Sequence, residues 1–150
     1  MKRVLVTLAT LLLLVSMVAL PVSATESTDQ LLSRSIEYLD NGDRVITEVY
    51  RSAAQPFSGT NGYKTSTYIH SNGSSIFSVT VNGTFTYNGS ASSATSASAT
   101  VRLINANASF VSKNAYASGA AAFATGTVNY GGINITRTVS LTCDRNGNLY

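Results

Sequence analysis

The chain has 150 residues, of which 11% are charged, with one His, one Cys and no Trp. That set excludes a metal centre built from several His and Cys ligands, and a disulfide within the chain. The formal charge of +3 does not indicate a nucleic-acid partner, because Lys2 and Arg3 open an apolar leader and the other eight bases face seven acids, a net charge of about +1.

The leader "MKRVLVTLATLLLLVSMVALPVSATES" places an apolar run from Val4 to Leu20 after those two bases, then Pro21 and the small residues Val-Ser-Ala. It reads as a secretory signal peptide, residues 1–24, cleaved after Ala24. A membrane anchor is the competing reading, since the run is near the lower limit for spanning a bilayer; the helix breaker and small residues favour cleavage. Residues 25–150 suit a single domain, with 25–34 expected to be loosely ordered. Ser and Thr make up 35 of those 126 residues and long charged helix formers are few, the composition of a β-rich extracellular domain. With no second apolar segment and no lipid-attachment Cys, the expectation is a secreted product free of the membrane once cleaved.

Charge is uneven. Residues 25–48 carry six acids and two Arg, whereas residues 49–150 carry six bases and only Asp144. The acidic segment is either a solvated edge or a piece that docks on the basic body. Within it "SIEYLDNGDRVITEVY" predicts a hairpin turning at Asn41-Gly42, with Ile36, Tyr38, Val45 and Val49 on one face; a short helix over 29–39 is the alternative. "YKTSTYIHSNGSSIF" predicts a second hairpin, in which a two-residue turn at Asn72-Gly73 sets Tyr68 across from Phe77 and Ser66 across from Val79.

"FSVTVNGTFTYNG" also holds an Asn-Gly pair, yet Phe77, Val79, Val81, Phe85 and Tyr87 all share odd phase. A two-residue turn at Asn82-Gly83 would send the two halves to opposite faces. A three-residue loop would keep the phase but expose Val81. One long strand is favoured, with Gly83 marking a bend, a bulge or a close backbone approach. The tract "SASSATSASAT" is expected to be a loop, with a weak strand as the alternative.

A turn at Ser118-Gly119 pairs "FVSKNAYA" with "AAFATGTV" and places Phe110, Tyr116 and Phe123 on the face opposite Ala120, Ala122 and Ala124. A second layer is expected to cover those rings; left exposed, they would form an interaction face. Folding back at Gly131-Gly132 sets Tyr130 against Ile133, Val128 against Ile135, Gly126 against Arg137, Ala124 against Val139, Ala122 against Leu141 and Ala120 against Cys143. Arg137 interrupts an otherwise apolar row. The sum is an all-β fold, an antiparallel β-sandwich of immunoglobulin-like build with about seven or eight strands.

The segments "YLDNGDRVITEVY", "FSVTVNGTFTYNGSAS" and "SLTCDRNGNLY" resemble small uncharacterised secreted proteins of Firmicutes, which share a signal peptide, a strand x-V-T-V-x-G-x-F-x-Y-x-G, a Ser/Thr-rich tract and a final S-L-T-C-x-x-N-G. The resemblance covers most of residues 25–150 and brings no established activity. Its members often carry a second Cys near what is here Ala94. The resemblance therefore implies that Ala94, or an immediate neighbour, passes within bridging distance of Cys143, although this chain lacks the second thiol.

Chemistry is sparse. His70 beside a turn reads as a surface residue, and no strained nucleophile motif marks a Ser to go with it. Cys143 shares phase with Leu141 and Val139, which favours a buried thiol over an intermolecular bridge. No catalytic residue, metal or cofactor is expected. Two functions are open: a secreted non-catalytic binding module for an extracellular protein, a glycan or its own copies, with Phe110, Tyr116 and Phe123 as the candidate face, or a bacteriocin-like, toxin-like effector acting on neighbouring cells.

Overall fold

The computed structural model describes residues 28–53 and 59–150. The signal peptide and its cleavage point after Ala24 lie outside those residues. The described chain is all-β: β1 (Gln30–Tyr38), β2 (Arg44–Arg51), β3 (Gly59–Ile69), β4 (Ser75–Tyr87), β5 (Ser92–Leu103), β6 (Ala108–Ser118), β7 (Ala121–Tyr130) and β8 (Ile133–Thr142). Every pairing is antiparallel. The strands form a five-stranded sheet, β1-β2-β3-β4-β5, packed on a three-stranded one, β6-β7-β8. This is the expected β-sandwich. In both sheets neighbours in space are neighbours in sequence, whereas the immunoglobulin build interleaves strands by Greek-key connections. Short turns join β1 to β2, β3 to β4, β4 to β5, β6 to β7 and β7 to β8, and the chain passes between sheets after β5.

One loop recurs. Leu39 N–H donates to the Asp43 carbonyl and Gly42 N–H to the Leu39 carbonyl; His70, Gly73 and Ser74 repeat the pattern, as do Asp144, Gly147 and Asn148. In each, x-Asn-Gly forms a three-residue loop whose Gly takes a φ of 82°, 89° or 86°, the left-handed conformation that Gly adopts without a Cβ clash. Asn41 and Asn72 brace two of these loops by accepting the N–H two residues on.

A three-residue loop where two were expected shifts register by one. Tyr38 therefore pairs with Arg44 and Ile36 with Ile46, and Glu37 stands opposite Val45. Ile36 and Tyr38 face away from Val45 and Val49, and both are exposed. The second hairpin takes the same loop but recovers the expected register through a shift beside Ile69, so Tyr68 meets Phe77 and Ser66 meets Val79. Residues 30–34, expected to be loose, are paired with β2 as a strand.

β4 is the single long strand expected at Asn82-Gly83. A Cβ on Gly83 would lie 2.7 Å from the Phe85 ring and 3.0 Å from Ala122 Cβ, so the glycine admits a close approach. The Ser-rich tract is a correction: it is β5, paired along β4. Its alternation is broken once, at a bulge that skips Thr95, and with that residue removed Ala94, Ala97, Ala99 and Val101 all pack on the core. The register of β7 with β8 is the expected one.

Phe77, Val79, Val81 and Phe85 fill the space between the sheets and are fully buried. Opposite them β7 presents Ala122, Ala124 and Gly126. A Cβ on Gly126 would fall 2.6 Å from Val101 Cγ2 and 2.7 Å from Val79 Cγ2. Large side chains on one sheet meet small ones on the other, the condition for close packing.

The sheets are unequal, and this positions the site. β6, β7 and β8 pack on β5, β4 and β3, so β1 and β2 overhang β8. The inward side of β1 carries Ser33, Ser35 and Glu37; on the same face β2 carries Thr47 between the buried Val45 and Val49, and β3 adds Lys64 and Ser66. The sandwich is apolar between β4 and β7, exposed at the β6 edge, and polar and open along β8.

Candidate functional site

Along the open side, an open cavity of about 420 Å³ lies between the first two hairpin loops and the start of β8, bordered by Asp43, Tyr68, His70, Tyr130, Ile133 and Ile135. Next along β8 is a cleft of about 280 Å³ lined by Glu37, Thr47, Lys64, Ser66 and Arg137 among others. Together they form a seam.

Asp43 anchors one end of it. The side chain is buried and accepts from Tyr68 O–H, Ser71 N–H (2.7 Å) and Asn41 Nδ2 (2.7 Å). Burial pushes its pKa up, but the hydrogen bonds from Tyr68, Ser71 and Asn41 outweigh it and hold the carboxyl below its ordinary value. Burial and that carboxylate together raise the Tyr68 phenol. Asp43 thus joins the Asn41 loop to the Asn72 loop, and both its oxygens are engaged. His70 Nδ1 accepts from Asn72 N–H at 3.3 Å, and its ring meets Tyr130 edge-on with centroids 6.0 Å apart. The histidine that reads as a surface residue therefore lines the cavity.

Arg137 lies across the middle of the seam. It is the one interruption of the inward apolar row of β8, opposite Gly126. Its Nη2 is 3.5 Å from Glu37 Oε2 of β1, an ion pair between the sheets. The acidic N-terminal segment thus meets the basic body at this pair. Lys64 lines the same cleft, and burial lowers its ammonium pKa.

The aromatic face is a separate surface. Tyr116 and Phe123 stack on the outer side of β6 and β7, centroids 4.8 Å apart and planes at 15°. Tyr116 is 53% exposed, so no second layer covers it. The same side continues as rungs, Thr125 with Thr138 at 3.0 Å, Thr127 with Thr136 at 2.9 Å and Asn129 with Asn134 at 2.8 Å. Phe110 does not join the pair. A bulge between Phe110 and Ser112 reverses the phase of β6, so Phe110 pairs with inward-facing Val128 at the sheet edge and is half exposed. The turn ahead of β7 is Gly119-Ala120, one residue later than expected, since Ser118 pairs with Ala121.

Cys143 is buried, its Sγ 3.4 Å from the Asp144 carbonyl as donor. Burial and the Asp144 charge raise the thiol pKa, with Arg51 opposing; it is not an activated nucleophile. Ser92 Oγ donates to the Cys143 carbonyl at 2.6 Å. Ala94 N–H and Cys143 N–H bond the adjacent carbonyls of Gly119 and Ala120. The Ser-rich tract and the end of β8 are thus neighbours.

No family model, curated protein or solved structure matches the chain. Among the described residues no group of three or more His, Cys, Asp or Glu is placed to hold a metal ion.

Sequence reasoning missed Asp43, Lys64 and Tyr130 as site residues. Arg137 carried a signal, a cation within an apolar row. Asp43 reads as an ordinary turn residue, Lys64 lies in polar alternation that resembles any solvated strand, and Tyr130 reads as the last residue before a turn.

Proposed function

We propose that the chain is a secreted, non-catalytic β-sandwich that binds an extracellular ligand along the seam beside β8. The observation that carries this reading is the mismatch of the sheets, which leaves the inward side of β1, and of β2 at Thr47, open to the cleft and lined with hydroxyls and charge, while Val45 and Val49 on the same face of β2 stay buried. A face left open by poor packing would be apolar; this one is built to be wet. Asp43, the buried carboxylate beside His70, spends its oxygens on Tyr68, Ser71 and Asn41, which favours binding over acid-base catalysis. Secretion rests on the leader, and a mass of the supernatant protein beginning at Thr25 would support it.

The test is retention of purified, labelled protein on bacterial cell walls and on a glycan array. Saturable binding without harm to the cells is expected. Growth inhibition of neighbouring cells in the absence of saturable retention would replace this reading with that of an effector.

A further inference from the structure

The middle of the seam carries positive charge that the described residues satisfy only in part. Arg137 Nε is buried and has no hydrogen-bond partner among the described residues. Among the described residues the polar contact of this guanidinium is the 3.5 Å approach of Nη2 to Glu37, whose side chain is 66% exposed against 23% for Arg137. A guanidinium presents Nε–H and an Nη donor as a planar fork matched to the two oxygens of a carboxylate or phosphate. Glu37 fills that fork with one long contact and leaves the inner donor empty.

Lys64 lines the same cleft from β3. Its cross-strand partners are Val49 and Val81. No hydrogen bond or ion pair to its ammonium is present among the described residues. Two cations therefore share the cleft with one loosely held acid. Around them stand the hydroxyl-bearing residues Ser35, Thr47 and Ser66. The Tyr130 and His70 rings line the cavity next along β8.

We propose that this cleft is an oxyanion site for an acidic saccharide, with Arg137 gripping the anionic group, Lys64 supplying the second charge and Glu37 as the resident occupant that the ligand displaces. The inference rests on the seam reading above and names its ligand class. A neutral sugar would leave both cations unpaired. A bare anion would leave the hydroxyls and the neighbouring aromatic cavity unused. Carboxylated and phosphorylated sugars share the required chemistry.

The test is calorimetric titration of the purified protein with trigalacturonic acid, galactose 6-phosphate and neutral galactotriose at low and physiological salt. Saturable binding to at least one charged probe, weakened by salt and absent for galactotriose, is expected; the two charged probes tell carboxylate from phosphate. Arg137→Met should weaken binding by about tenfold to a hundredfold, as expected for loss of a charge-assisted bond. Lys64→Met should weaken it less, and Glu37→Gln should strengthen it by freeing the fork. If Arg137→Met does not fold, Lys64→Met and Glu37→Gln decide. No binding to either charged probe, or Glu37→Gln weakening binding as Lys64→Met does, overturns the site. Retention on walls that Arg137→Met and Lys64→Met leave unchanged overturns it too, while sparing the seam reading. Absence of retention on every wall and glycan sinks both.

Discussion

Leu149 lies directly over Gly62, so close that a Cβ on Gly62 would stand 2.4 Å from Leu149 Cδ1 and 2.5 Å from the Tyr50 carbonyl oxygen. Gly62 belongs to β3. Leu149 follows the last x-Asn-Gly loop and pairs back on Cys143 beyond β8. The contact therefore closes one end of the sandwich across the two sheets, where Leu149 is 6% exposed.

Leu149→Ala should cost about 2 to 5 kcal/mol in urea unfolding, as for other buried leucines. Gly62→Ala should cost about 1 to 3 kcal/mol by overpacking. The double variant should be only partly less than additive, because removing Leu149 relieves the side-chain clash and not the one with the backbone oxygen of Tyr50. Full relief in the double variant would contradict the close approach to Tyr50.

The Asp43 carboxyl has a folded pKa below the ordinary 3.8. Its hydrogen bonds to Tyr68, Ser71 and Asn41 therefore contribute stability that is fully present above that unfolded value and is lost as pH falls through the folded one. Asp43→Asn should lower Tm at pH 6, and the gap to the parent should narrow towards pH 2. A gap independent of pH would contradict the assignment. Tyr68→Phe should cost about 1 kcal/mol, the ordinary worth of one hydrogen bond.

Because Ala94 and Cys143 bond adjacent residues of one turn, Ala94→Cys should give an intramolecular disulfide under oxidising conditions, with a scan over positions 92 to 96 absorbing an error of register. A bridge needs Cα atoms within about 7 Å. Closing a loop of about 50 residues should stabilise the oxidised form by roughly 4 kcal/mol in the chain-entropy model, less any strain. Two persistent free thiols, or only linked dimers, throughout the scan would contradict the placement of β5 beside the end of β8.

Tyr116 is 53% exposed and stacked on Phe123. Tyr116→Ser should cost no more than about 1.5 kcal/mol, the worth of an aromatic pair. Phe123→Ser, at a half-buried position, should cost more. If the pair serves self-association, sedimentation of Tyr116→Ser should show fewer dimers at nearly unchanged Tm. A loss near 3 to 5 kcal/mol for Tyr116→Ser would mark it as core instead.

Much of the architecture was legible before any coordinates. The odd phase through Val81, Gly83 and Phe85 marked one strand rather than a hairpin, and the small-against-large pairing of β7 with β8 held residue by residue. Both follow from the period of two, which is local and strict. Where phase slipped by one residue, the sequence alone misled. The loop at Asn41-Gly42 turned Ile36 and Tyr38 outward and the bulge after Phe110 parted it from Tyr116, while the small-residue composition of β5 read as a loop and the skip at Thr95 broke the alternation that would have marked a strand. A bulge changes hydrogen bonding without changing composition, so its position is decided by the partner strand.

The seam was decided by tertiary structure alone. Ser35, Glu37, Thr47, Lys64 and Ser66 alternate with their neighbours like any strand with one wet side, and nothing local tells which sheet will fail to cover them. That follows from the count of strands on each side, five against three. Arg137 could be recognised in the sequence as a charge in an apolar row; that it would be left with one long contact to Glu37 and an unpaired Nε depended on where β1 overhangs β8. Side-chain phase is a property of each strand, whereas cover is a property of the two sheets together.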